Sequence, residues 1–129
     1  MTTDSKSLNI LVADDEKSTT APVSVVLKQA GHRVNVVHDG EDALSAITQE
    51  PARYHLLISD HHMGKVSGLE LATGLRRIAF PGEILILSSS LPPEAEDAYR
   101  LLGVRTFISK PFDLAALRTV VQTLADPRG

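Results

Sequence analysis

The chain has no cysteine. A disulfide framework, a thiolate zinc site and a thiol nucleophile are therefore excluded. It has no long hydrophobic run either. Nothing approaches the roughly 20 apolar residues of a membrane-spanning helix, and the polar start Met1–Ser7 is followed by no apolar segment of the secretion-signal kind. The expectation is a soluble cytoplasmic protein that does not enter a membrane. An excess of positive charge is missing too: the formal net charge is -3, which argues against direct nucleic-acid binding. The seven prolines and eight glycines are scattered as punctuation, with no linker cluster, and no internal repeat stands out. What remains is an ordinary globular balance of 43% hydrophobic and 22% charged residues over 129 positions, enough for one domain.

What is present is a set of short apolar runs that each stop at a polar side chain. Asn9–Ala13 is followed by Asp14-Asp15, His55–Ser59 by Asp60, Glu83–Leu87 by Ser88, and Thr106–Ser109 by Lys110-Pro111. Such runs read as strands buried on both faces of a parallel sheet. Helical patterns alternate with them. The first runs from about Thr20 to Ala30, with Pro22 in its first turn and Gly31 closing it. The second covers about Glu41–Gln49, with Ala43, Leu44 and Ile47 on one face. The third covers about Gly68–Ile78, with Leu69, Ala72, Leu75 and Ile78 inward. The fourth begins near Pro92-Pro93-Glu94 and ends at Gly103, burying Ala98, Leu101 and Leu102. The fifth follows Asp113, an N-cap candidate, and runs to about Ala125. A further strand, about Arg33–Val37, precedes the turn Asp39-Gly40. Five βα units with short, right-handed connections predict an α/β fold: a flavodoxin-like, doubly wound, five-stranded parallel sheet of order 2-1-3-4-5, with helices on both faces.

In such a sheet the ligand crevice lies beyond the carboxyl ends of the strands, at the switch point between strands 1 and 3. Asp14, Asp15 and Asp60 end those two strands. Three carboxylates in one crevice repel unless a cation neutralises them. Oxygen-only ligands suit Mg²⁺, which takes one or two carboxylates and a phosphoryl oxygen and keeps several waters. Asp60 can act as a nucleophile toward phosphorus. Lys110 can supply a compact positive charge to the transferring group, and Ser88 a hydroxyl donor. Taken singly, each of these residues also suits a turn, a cap or a solvated loop. Their joint order, each at the end of a strand, carries the reading.

In this arrangement the chain resembles the receiver domain of two-component response regulators, over about Leu8–Leu124. The carrying segments are Ile10-Leu11-Val12-Ala13-Asp14-Asp15-Glu16, Leu56-Leu57-Ile58-Ser59-Asp60-His61-His62-Met63, Ile86-Leu87-Ser88-Ser89 and Lys110-Pro111-Phe112. The resemblance implies phosphorylation of Asp60 and a metal held by Asp14, Asp15, Asp60 and the backbone carbonyl of His62. It implies that Ser88 and Lys110 read the phosphoryl group, and that Phe107, three positions before the lysine, is the switch aromatic beside Ser88. The implied partners are a sensor histidine kinase or histidine phosphotransfer protein, and a downstream protein or a second copy meeting the face of helix 4, strand 5 and helix 5. The implied division is a disordered tail over residues 1–7, a receiver domain over 8–125 and a C-terminal tail over 126–129, either a stand-alone regulator or a receiver taken from a longer protein.

Some positions depart from the usual pattern. Met63 is followed by Gly64 where the family commonly has proline, which leaves the loop less preset. Phe107 lacks the hydroxyl of the frequent tyrosine and also suits a plain core aromatic. His62, two residues after Asp60, and Ser90, two after Ser88, border the approach of water to the phosphorus, and so are expected to tune the lifetime of the phosphoryl group. His62 can do so as a base or as a bulky shield. Two other functions stay open at this point: a small phosphohydrolase with an aspartyl nucleophile, and a binding module that never carries phosphate. A receiver is not an enzyme beyond its own autocatalytic phosphorylation and dephosphorylation.

Overall fold

The computed structural model describes residues 7–125. Ten elements alternate along the chain: β1 (Asn9–Ala13), α1 (Lys17–Gln29), β2 (Arg33–Val37), α2 (Gly40–Gln49), β3 (Leu56–Asp60), α3 (Gly68–Arg77), β4 (Glu83–Ser88), α4 (Pro93–Leu101), β5 (Thr106–Ser109) and α5 (Leu114–Ala125). The strands form one parallel sheet in the order β2-β1-β3-β4-β5. The expected fold class and strand order are both observed. Residues 1–6 and 126–129 of the expected tails lie outside the described residues. Ser7 is described, and its hydroxyl donates to the Gly31 carbonyl at 2.7 Å.

Alternation along the strands builds two cores. Ile10, Val12, Leu56 and Ile58 pack with Val23 and Leu27 of α1 and Leu117 and Val121 of α5. Leu11, Ala13 and Leu57 point to the opposite face, against Ala43 and Ile47 of α2, Leu71 and Leu75 of α3, and Tyr99 of α4. Central strands buried on both sides favour apolar residues on both faces, which is why β1 and β3 read as nearly unbroken runs; the buried Ser59 of β3 donates its hydroxyl to the Asp60 carbonyl at 2.9 Å.

Three helices differ from expectation. α1 starts at Lys17, before Thr20, because the chain turns straight out of β1 with Glu16 in extended conformation as its N-cap. Pro22 therefore lies inside the helix, beyond its first turn. α3 starts on a reciprocal capping box, in which Ser67 Oγ accepts from the Glu70 N–H and Glu70 accepts from the Ser67 N–H. Its inward residues are Leu71, Ala72 and Leu75, with Leu69 and Ile78 half-buried. The phase of α4 is off by more. Leu101 is 89% exposed, Ala98 and Leu102 are half-buried, and Tyr99 is the fully buried residue. The side chain that finds a polar partner inside sets the face, and here that is a tyrosine.

Candidate functional site

Strand register makes the site. Ala13 pairs with Ser59, Asp60 with Leu87, and Ser88 with Ser109. The next residues of each strand, Asp14, His61 and Lys110, therefore emerge along one edge of the sheet. The backbone is pinned there: Asp14 N–H donates to the Val37 carbonyl at 3.2 Å, His61 N–H to Leu87 at 2.9 Å, and Lys110 N–H to Ser88 at 2.9 Å. The His38 ring also bonds the Asp14 carbonyl, at 3.1 Å.

Asp14 is wholly buried and Asp60 is 5% exposed. Asp14 Oδ1 accepts from the Glu16 N–H at 3.0 Å, and its Oδ2 accepts from Lys110 Nζ at 2.8 Å. The same ammonium lies 3.2 Å from Glu16 Oε1 and 3.4 Å from Asp60 Oδ2. Burial first, and then the charge of Asp14, push the Asp60 carboxyl above the usual aspartate range; Lys110 and the His62 N–H oppose this without cancelling it. Burial disfavours the Lys110 charge, but the hydrogen bond and charge of Asp14, with Glu16 and Asp60, more than offset it and hold the ammonium above the usual lysine range.

Asp14, Asp15, Glu16 and Asp60 each offer a carboxylate oxygen, all within 4.8 Å of one another. Asp15 and Glu16 are exposed and face solvent, so the cluster is open on one side. An all-oxygen donor set with room for water suits a hard divalent cation. Glu16 was not among the residues expected here. It is the third acid of the run that ends β1, and only the turn into α1 brings it back toward Lys110.

The remaining expected residues surround this cluster at different depths. Ser88 is buried, and its Oγ accepts from the N–H of Ser90, whose own side chain is exposed. Ser88, Ser89, Ser90, Leu91, Phe107 and Ser109 line a small pocket between β4 and β5. His62 is exposed, with its ring 4.7 Å from that of His61 in an edge contact. Phe107 is half-buried and turns toward α4: its ring meets Tyr99 at 5.9 Å, and the Arg100 guanidinium lies 5.0 Å from its centroid. Tyr99 and His61, neither of them expected at the site, share a 2.7 Å hydrogen bond between Oη and Nδ1.

Residues 10–122 match the model of the response regulator receiver domain, which is nearly the whole described chain. The chain belongs to the receiver domain family of two-component signalling. The receiver is 34% identical over 125 residues to the sensory/regulatory protein RpfC of Xanthomonas campestris, a match covering 94% of this chain and 16% of that protein. It is 29% identical over 129 residues to the transcriptional regulatory protein PrrA of Mycobacterium leprae, covering 54% of it. The chain thus spans a small part of the one and about half of the other. Among solved structures, the chemotaxis protein CheY4 of Vibrio cholerae superposes with a TM-score of 0.83 at 28% identity, covering 92% of this receiver and 99% of CheY4. Among the described residues no helix is long and apolar enough to cross a membrane.

Proposed function

We propose that this receiver accepts a phosphoryl group on Asp60 from the phosphohistidine of a sensor histidine kinase or a histidine phosphotransfer protein. An Asp60 carboxylate oxygen forms the new bond to phosphorus as the phosphorus–nitrogen bond of the donor breaks, and the imidazole leaves with the electron pair and takes up a proton. Lys110 neutralises charge on the phosphoryl oxygens, and the Ser88 hydroxyl donates to one of them while its oxygen accepts from the Ser90 N–H. Asp14, Asp15 and Asp60, with the His62 carbonyl, would hold Mg²⁺, and Glu16 lies close enough to join them. The ion supplies charge neutralisation and orientation for the transferring group. Phosphorylation then alters the face formed by α4, β5 and α5, where a downstream protein or a second copy docks. The domain limits of this reading are residues 8–125. The observation that supports it most is the reach of Lys110 across β1 and β3, touching Asp14 and Asp60 together.

Mass spectrometry of the intact chain after incubation with acetyl phosphate and Mg²⁺ tests the reading. A gain of about 80 Da, the mass of one phosphoryl group, is expected. Steady release of phosphate with no accumulating adduct would point instead to a phosphohydrolase, and neither adduct nor release to a passive binding module.

A further inference from the structure

We propose that Tyr99 is a positioning residue that ties the loop after Asp60 to helix α4 and to Phe107, giving the receiver a mechanical connection from the acceptor to the α4–β5 face that does not pass through Ser88 or Lys110. The inference rests on Asp60 being the phosphoryl acceptor. His61 follows Asp60 directly, so any movement of the chain there carries the imidazole with it. Its Nδ1 holds the Tyr99 hydroxyl at 2.7 Å. Tyr99 is 0% exposed, so its hydroxyl cannot trade this bond for water. His61 is half-buried, and breaking the bond would leave the Tyr99 hydroxyl unpaired inside the core, so the bond is strongly preferred.

Two further contacts aim the connection. The ring of Tyr99 meets His61 at 5.5 Å and Phe107 at 5.9 Å, both in edge geometry. Phe107 in turn carries Arg100, which is bonded to Glu96 on the exposed side of α4. Gly68, at the start of α3, leaves the space in which the hydroxyl sits: an added Cβ would lie 2.7 Å from Tyr99 Oη and 2.6 Å from the Asp60 carbonyl oxygen. The C-terminal end of α4, to which Tyr99 belongs, is held as well, because Arg76 Nε donates to the Leu102 carbonyl at 2.7 Å. With Leu102 fixed just beyond it, a displacement at Tyr99 tilts α4 about its C-terminal end and moves the Phe107 ring that packs on Tyr99. Packed side chains that cannot deform continuously pass such a shift on as a step.

Beryllofluoride, which mimics an aspartyl phosphate, together with Mg²⁺ allows the test by amide hydrogen exchange over residues 88–101. The comparison includes the unaltered chain, Tyr99→Phe, His61→Phe and the double variant. Tyr99→Phe keeps the ring and removes only the hydroxyl. It should accept phosphoryl from acetyl phosphate as the unaltered chain does, yet show a response of the α4 amides smaller by about fivefold, the size of one lost neutral hydrogen bond. His61→Phe should reduce the response similarly, and the double variant no further. An undiminished α4 response in Tyr99→Phe, or additive losses in the double variant, would overturn the connection while leaving Asp60 as acceptor. Failure of the unaltered chain to take up phosphoryl or beryllofluoride would overturn the functional reading, and this inference with it.

Discussion

Lys110 and Asp14 are 96 positions apart in the chain and 2.8 Å apart in the fold, the ammonium 13% and the carboxylate 0% exposed. The pair is therefore a partly buried ion pair that closes the first strand of the sheet onto the last loop. Removing the cation leaves Asp14 charged, buried and without its strongest partner. Lys110→Ala should lose about 3 kcal/mol of stability in chelator, the cost of a broken buried pair. Urea unfolding measures this, and millimolar Mg²⁺ should restore part of the loss by replacing the missing positive charge.

Asp60→Asn should change stability in the opposite direction. Burial and Asp14 raise the Asp60 carboxyl, so the folded chain binds that proton more tightly than the unfolded chain does. The acid form is the one the fold favours, and stability is lost as pH rises through the ordinary aspartate value of about 3.9 toward the raised one. Without Mg²⁺ the variant should melt a few degrees above the unaltered chain at pH 7. That advantage should vanish below pH 4, which thermal melts across the range would show.

His32 gives the fold a second pH dependence, far from the acidic cluster. Its Nδ1 accepts from the Leu8 N–H at 3.0 Å, and burial, then the charge of Arg118, lower its pKa. The folded chain favours the neutral ring, so stability is full above pH 6.5 and declines as pH falls below it. His61 is lowered in the same sense by burial and His62. Stability measured from pH 7.5 to 5.5 should decline, and the decline should be shallower in His32→Gln.

Gly64 in the β3–α3 connection and Gly68 at the start of α3 should respond differently to alanine. At Gly68 a Cβ meets the Asp60 carbonyl, the Tyr99 hydroxyl and His61 Cα, whereas at Gly64 nothing lies within 4 Å. Gly68→Ala should cost about 2 kcal/mol through overpacking. Gly64→Ala should be neutral or slightly stabilising, by restricting the unfolded chain. Urea midpoints of the two variants decide it.

The strands were legible because the buried ones are built on short apolar stretches, Ile10–Ala13, Leu56–Ile58 and Ile84–Leu87, and each ends near polar residues with chemistry of their own. That also placed Asp14, Asp60, Ser88 and Lys110 along one edge. Register was not legible, and distances depend on it. The pairing of Ala13 with Ser59 sets Asp14 beside Asp60, and no local pattern encodes that rung. The capping box Ser67–Glu70 carries a local signature, serine followed three positions later by glutamate, that marks the start of α3. The face of α4 could not be read locally, because the partner of the buried Tyr99 hydroxyl is His61, 38 residues earlier. An apolar count along the helix favours Leu101, which the fold leaves in solvent. Glu16 was hidden in a similar way: as the third of three adjacent acids it looks redundant until α1 turns it toward Lys110.

His62, two residues beyond Asp60, is exposed, and its ring makes an edge contact with that of His61. His62→Ala should speed loss of the phosphoryl group severalfold by admitting water, with no change in the shape of the pH–rate profile between pH 6 and 8. Decay of the adduct followed by mass spectrometry would show this. A slower decay with a flattened profile would mean that the imidazole acts as a base.

The residue that takes the phosphoryl group decides the proposed function. Borohydride reduces an aspartyl phosphate to homoserine, which marks the acceptor permanently. The chain is treated with acetyl phosphate and Mg²⁺, reduced, digested and sequenced by mass spectrometry. Homoserine at position 60, absent in Asp60→Asn and absent without Mg²⁺, is the expected result. Homoserine at Asp14 or Asp15, or none at any position, would contradict it.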